Sequence, residues 1–193
     1  MMRRAGGADV EALLREISAL TKQVHVLARE ARTDPLTGLA NRRGWDDQLR
    51  RELARARRSK GTLSIGLLDL DDFKSFNDRH GHQAGDRLLA EAATAWRVHL
   101  READVLCRWG GDEFALLLPD CPWREAQDVL ARLDRATPSP LSCATGLATW
   151  DGGEPAHELL GRADAALLEE KGNRRGLHPL TGEQAPSGAG LRR

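Results

Sequence analysis

The feature that most restricts the fold is a pair of apolar runs, Val105 to Trp109 and Phe114 to Leu118, separated by a turn that begins Gly110-Gly111. Two short strands joined this tightly must lie side by side and antiparallel, and glycine supplies the positive φ that such a turn demands. A sheet therefore forms around this hairpin. Leu63 to Leu70, an apolar run bounded by Gly61 and Asp71-Asp72, reads as a buried first strand. Residues 84 to 100 repeat apolar side chains at helical spacing (Leu88, Leu89, Ala92, Trp96, Leu100) and predict a helix between that strand and the hairpin. A helix over 123 to 135, a strand over 141 to 149 and a helix over 156 to 171 follow, and a helix from Asn41 to about Lys60 precedes, with Trp45, Leu49 and Leu53 on one face. The β-α-β-β-α-β order with added helices predicts an α+β, ferredoxin-like antiparallel sheet.

Before this domain, Val10, Leu13, Ile17, Leu20, Val24, Leu27 and Ala31 alternate spacings of three and four, which keeps one seam on a continuous helix. The expected organisation is a coiled-coil helix over 8–32, a globular domain over 33–178 and a disordered Gly-, Pro- and Ser-rich tail over 179–193. A single amphipathic helix lying on its own domain is the alternative to pairing. Lys plus Arg equal Asp plus Glu at 29 each, so no global field draws the chain to nucleic acid or to an anionic membrane. The arginines at 50, 51, 55, 57 and 58 accordingly read as a solvated face. Cys107, Cys121 and Cys143 are odd in number and form no Cys-x-x-Cys pair, which disfavours disulfides and structural zinc and leaves buried thiols in a reducing cytosol. No apolar stretch near the N-terminus is long enough for a signal peptide or a spanning helix, so a cytoplasmic location is expected.

In a sheet of this order the first strand lies beside the third, which brings Asp69 to the hairpin carrying Asp112 and Glu113. Carboxylates that close repel unless a hard cation neutralises them, and Mg²⁺ takes one or two carboxylates while leaving positions for phosphates. Metal-dependent phosphoryl or nucleotidyl transfer follows as the expected chemistry, against the plainer reading of a solvated acidic turn. An EF-hand loop starting at Asp69 fails, because its sixth and twelfth positions hold Lys74 and His80 instead of Gly and Glu. No Gly-x-x-x-x-Gly-Lys-Ser/Thr occurs, so phosphate contacts must come from elsewhere, with Lys74 the nearest candidate.

Four segments in order carry a family resemblance: Asp34-Pro35-Leu36-Thr37-Gly38-Leu39-Ala40-Asn41-Arg42-Arg43; Asp69-Leu70-Asp71-Asp72-Phe73-Lys74 with Asn77-Asp78; Gly81-His82 with Gly85-Asp86; and Arg108-Trp109-Gly110-Gly111-Asp112-Glu113-Phe114. Over about residues 33 to 176 the chain resembles the diguanylate cyclase (GGDEF) family, whose domain is of the nucleotide-cyclase, palm type. The resemblance implies that Asp69, Asp112 and the main-chain carbonyl of Leu70 bind two divalent ions, Mg²⁺ or Mn²⁺, while Glu113 assists deprotonation of a 3′-hydroxyl. It implies phosphate contacts from Lys74, Lys171 and Arg175, guanine recognition by Asn77 and Asp86 with His82 lining the base pocket, and a substrate set completed by Phe73, Gly110 and Gly111. A carboxylate at Asp86 suits the N1 and N2 hydrogens of guanine, so GTP is the expected substrate.

The same resemblance implies condensation of two GTP into cyclic di-GMP and two pyrophosphates across a homodimer. Arg101-Glu102-Ala103-Asp104 is similar to the family's RxxD product-inhibition site, with Arg101 and Asp104 as its contacts. A catalytically silent receptor for GTP or cyclic di-GMP is the competing reading, and the intact acidic set favours the enzyme. An upstream partner acting through the N-terminal helix is the expected route for input. Departures are Leu168 where tyrosine is usual, Arg174 in place of glycine, Ala144-Thr145-Gly146 in place of Ser-x-Gly, and a short stretch between Phe114 and Gly146.

Overall fold

The computed structural model describes residues 11, 13–23 and 32–177, apart from the side chains of 175–177. The globular part runs β1 (Ala40–Asn41), α1 (Arg42–Ser59), β2 (Leu63–Leu70), α2 (Phe73–His80), α3 (His82–Arg97), β3 (Val105–Gly110), β4 (Glu113–Pro119), α4 (Trp123–Ala136), β5 (Cys143–Thr149) and α5 (Ala156–Leu177). The sheet order is β1-β3-β4-β2-β5. β2 lies between β4 and β5 and is antiparallel to both, while β3 and β4 form the hairpin. This is the ferredoxin-like arrangement anticipated above, with β1 added in parallel at the β3 edge.

Both faces of the sheet are covered, which is why β2 and β4 read as unbroken apolar runs and not as alternating ones. On one face Leu68, Leu70, Phe114, Leu116 and Leu118 pack against α3 and α4 through Leu89, Trp96, Leu130 and Leu133. Trp96 stands edge-on to Phe114 at 4.9 Å and donates its indole N–H to the Leu133 carbonyl at 2.9 Å. On the other face Leu63, Ile65, Ala115 and Leu117 meet Trp45 and Leu49 of α1 and Leu159 and Ala163 of α5. All three cysteines are buried and free.

Two short elements escaped the sequence reading. α2 has eight residues and buries only Phe73, so it shows no apolar period, and β1 pairs over just two residues. β5 begins at Cys143 and not at 141, and residues 137–142 carry the chain directly from α4 into the strand. No further element intervenes there, which accounts for the shortness noted between Phe114 and Gly146. α5 continues to Leu177, six residues beyond the expected end.

Ahead of the domain, residues 13–23 are helical. Leu13, Leu14, Ile17 and Leu20 are 51–60% exposed there. The remaining members of the apolar seam, Val10, Val24, Leu27 and Ala31, and the tail expected over 179–193 lie outside the described residues.

Candidate active site

Asp69 ends the run of β2 residues that face α1 and α5, and it is only 8% exposed. The β2–β4 register sets it directly opposite Glu113. Leu70, the next residue, donates its N–H to the Asp112 carbonyl at 3.4 Å, drawing the hairpin turn over the end of β2. Lys171 of α5 reaches Asp69 with an ion pair of 2.6 Å. Burial raises the Asp69 pKa, the Asp112 and Asp71 charges push the same way, and Lys171 opposes them. A carboxylate destabilised by burial and by neighbouring acids has a standing demand for positive charge, which Lys171 meets here.

The turn itself is built by a bulge and a brace. The register shifts between Arg108 and Gly110, and Gly111 adopts φ +56°, a conformation that side-chain-bearing residues rarely take. Arg108 donates to the Gly111 carbonyl through Nε at 3.0 Å and through Nη2 at 2.9 Å. Its Nη1 meets both oxygens of Asp34 at 3.3 Å. Asp34 in turn accepts from the Thr37 N–H at 2.9 Å and hydroxyl at 2.7 Å. Burial opposes the Asp34 charge, but the two Thr37 bonds and Arg108 outweigh it and lower the pKa. The first motif segment thus anchors the turn that presents Asp112 and Glu113. Asn41, in the same segment, caps α1 by accepting from the Gly44 N–H at 3.0 Å.

The expected nucleotide-binding residues lie on the α2–α3 corner beyond the end of β2. Phe73 is buried beneath it, while Lys74, His82 and Asp86 are exposed. Asn77 turns its Oδ1 inward, where it is buried and has no hydrogen-bond partner among the described residues. A Cβ at Gly85 would come within 1.9 Å of that oxygen, so only glycine lets α3 pass this close to Asn77.

Among the described residues no three His, Cys, Asp or Glu side chains are grouped as a metal cage. A cation at this end would draw on Asp69, Asp112 and the Leu70 carbonyl and take its remaining ligands from substrate phosphates, an all-oxygen set suited to a hard divalent ion. Glu113 is exposed and stays outside that set. The Arg175 side chain lies outside the described residues, and Arg174, noted above only as a departure, pairs with Asp71 at 2.9 Å.

Arg101 and Asp104 occupy the turn between α3 and β3, where Asp104 accepts from the Arg101 N–H at 2.8 Å. They line an open cavity of about 430 Å³ together with Arg97, Gly38 and Leu106. Arg97 went unnoticed in the sequence because it belongs to no motif; its spacing of four from Arg101 was the available signal.

The family "Diguanylate cyclase, GGDEF domain" matches residues 31–176. The chain belongs to the GGDEF diguanylate cyclase family. Diguanylate cyclase DgcP of Pseudomonas aeruginosa is 36% identical to it over 172 residues, 84% of this chain and 26% of DgcP. The chain therefore spans about a quarter of that relative's length. Among solved structures, the coiled coil and GGDEF domain of DgcB from Caulobacter crescentus in complex with c-di-GMP matches with TM-score 0.81 and 30% identity, covering 91% of this chain and 97% of that one. Diguanylate cyclase SiaD in complex with its activator SiaC, from Pseudomonas aeruginosa, matches with TM-score 0.72 and 34% identity over 86% of this chain and 68% of that one. The GGDEF core, hairpin included, is thus shared with domains known in complex with the dinucleotide and with a regulator. Among the described residues, no helix of this GGDEF chain is long and apolar enough to cross a membrane.

Proposed function

We propose that the protein is a diguanylate cyclase that joins two GTP molecules, one per subunit of a homodimer, into cyclic di-GMP with release of two pyrophosphates. The observation that carries this reading is the pairing of Asp69 with Glu113 across β2 and β4, beneath the Asp112 turn and within reach of Lys171. Asn77 and Asp86 hold the guanine edge, Asp86 exposed on α3 and Asn77 half-buried on α2. Lys74 and Lys171 neutralise phosphate charge; Lys171 is already poised at the acidic end of β2. Glu113, exposed at the start of β4, accepts the proton of the incoming 3′-hydroxyl. Asp69, Asp112 and the Leu70 carbonyl would hold divalent ions, which when bound would supply Lewis-acid stabilisation of negative charge developing on the phosphates.

The apolar seam of residues 13–20 is exposed on a single chain, and a second copy is the natural cover for it, consistent with the coiled coil present beside the GGDEF domain of DgcB. Such pairing raises the effective concentration of one GTP-loaded domain for the other. Input from a partner acting on this helix or domain has a parallel in the SiaD–SiaC complex. Product inhibition is assigned to the cavity holding Arg101, Asp104 and Arg97, where guanidinium groups can pair with phosphate and stack on guanine.

The test is incubation of purified protein with GTP and Mg²⁺ and identification of products by mass spectrometry. Cyclic di-GMP is expected from the wild type, and Asp112→Ala should lose at least about 10³-fold in rate. Nucleotide binding without any dinucleotide would replace the cyclase by a silent receptor.

A further inference from the structure

The last turns of α5 carry a cation that the proposed reaction leaves without a role. Arg174 stands where the GGDEF pattern has glycine, and its guanidinium meets three carboxylates from three different elements. Nη1 pairs with Asp71 at 2.9 Å, just past β2; Nη2 pairs with Asp134 of α4 at 3.1 Å and with Glu170 of α5 at 2.7 Å. Each of those acids has a second partner on the β5 side. Asp71 accepts from the Ser142 hydroxyl at 2.6 Å, Asp134 from the Cys143 N–H at 3.1 Å, and Glu170 from the Thr145 hydroxyl at 3.3 Å. Burial works against the Arg174 charge, yet Glu170 and Asp134 outweigh it and hold the group protonated.

A helix-end staple would account for the Glu170 bond alone, since it is an ordinary i,i+4 pair. The Asp71 bond does more. α5 and β2 both run toward the catalytic end, and they are joined there by two rungs, Lys171 to Asp69 and Arg174 to Asp71. Three residues of helix advance about 4.5 Å on one face, and two residues of strand about 6.6 Å on one face, so the two rungs are mutually compatible with modest side-chain reach. Fixing the outer rung from three sides therefore fixes the inner one. The 137–142 connection brings Asp134, Ser142 and Cys143 close enough to join.

We propose that Arg174 is a positioning residue: held by Asp71, Asp134 and Glu170, it sets where α5 delivers the Lys171 amine beside Asp69. Lysine is a poorer substitute, because a compact ammonium lacks the fixed, wide fork with which one guanidinium reaches all three acids. The use of that amine on substrate phosphate rests on the cyclase reading; its placement does not.

Placement is read without turnover. The chain has four lysines, at 22, 60, 74 and 171, so a pulse of acetic anhydride followed by peptide mass spectrometry resolves each. In the wild type Lys171 should label slowly relative to exposed Lys60, and Asp69→Asn sets the rate of a freed amine. Arg174→Ala should raise Lys171 labelling at least about fivefold toward that limit, with Lys60 and Lys74 unchanged, and Arg174→Lys should fall between. If Arg174→Ala does not fold, as judged by circular dichroism, Arg174→Lys decides alone. In the kinetic arm Arg174→Ala should lower kcat on the order of tenfold, and should cost nothing further in a Lys171→Ala background. Unchanged Lys171 labelling, or kinetic losses that add in the double variant, would overturn the proposal. A wild type that makes no dinucleotide would remove the cyclase reading and leave the labelling result to decide placement.

Discussion

Two arginines hold the two sides of this site, and they do so differently. Arg108 has one carboxylate partner, Asp34, and spends its other donors on the Gly111 carbonyl, so it shapes a turn of the main chain. Arg174 has three carboxylate partners and, among the described residues, no main-chain acceptor, so it fixes a helix against its neighbours. The side chain of Arg108 is 16% exposed and that of Arg174 29%. Asp112 and Glu113 ride on the element that Arg108 braces, and Lys171 on the one that Arg174 braces. An acidic centre of this kind repels itself, and its geometry survives because rigid cations outside it hold the elements that its own charges would push apart.

The difference sets the size of the expected effects. Arg108→Ala removes every side-chain bond to the Gly111 carbonyl and frees the turn that carries Asp112. Misplacement of about 1 Å at a reacting centre costs around 10²-fold, so kcat for cyclic di-GMP formation should fall by about that much or more, against about tenfold for Arg174→Ala. Steady-state turnover of both variants at saturating GTP makes the comparison. If Arg108→Ala proves the milder change, the hairpin is held by its strand pairing and the contrast between the two braces is wrong.

The two braces were not equally legible. Arg108 and Asp34 both sit inside recognised motif segments, yet nothing in those segments says that residues 74 positions apart touch. Strand order makes the contact, since β1 pairs with β3 and places the 34–41 segment beside Arg108. The pairing of Asp69 with the hairpin followed from β-α-β-β-α-β topology alone, because a tight hairpin and a right-handed crossover leave few arrangements. Arg174 was visible only as a substitution for glycine. Its meaning depended on α5 running to Leu177 and on the loop from α4 being short, and periodicity fixes neither helix ends nor loop paths. α2 was missed for a related reason: it buries one side chain and gets its start from the αL conformation of Asp72, leaving no apolar rhythm to read.

A smaller effect tests the electrostatic half of the Arg108 brace. Asp34→Asn retains an acceptor for Thr37 and loses the charge facing Arg108. Because the folded pKa of Asp34 lies below the ordinary 3.8, ionisation favours the folded state. That contribution is fully present above the unfolded pKa and is lost as pH falls through the folded one. The wild type should therefore exceed Asp34→Asn by on the order of 1 kcal/mol, about 2–4 °C in Tm, with a constant gap from about pH 5 to 7 that narrows below about pH 4. Thermal melts of both proteins across that range give the answer. Equal stability of the two proteins across that range would mean that the hydrogen bonds to Thr37, which Asp34→Asn retains, and not the charge pair, carry the brace.

The smallest change expected is at the outer edge of the Arg174 cluster. Ser142 donates its hydroxyl to the same Asp71 oxygen that Arg174 engages, and the residue is exposed. Water can replace a hydroxyl at such a position, whereas it cannot replace a guanidinium that spans three acids. Ser142→Ala should accordingly change stability by less than about 0.5 kcal/mol and leave kcat within about twofold of the wild type. Denaturant melts and turnover measured beside Arg174→Ala place the two on one scale. Were Ser142→Ala to cost as much as Arg174→Ala, the element that sets Asp71 would be the start of β5 instead of α5, and the position of Lys171 would be inherited from the sheet edge, not from the helix that carries it.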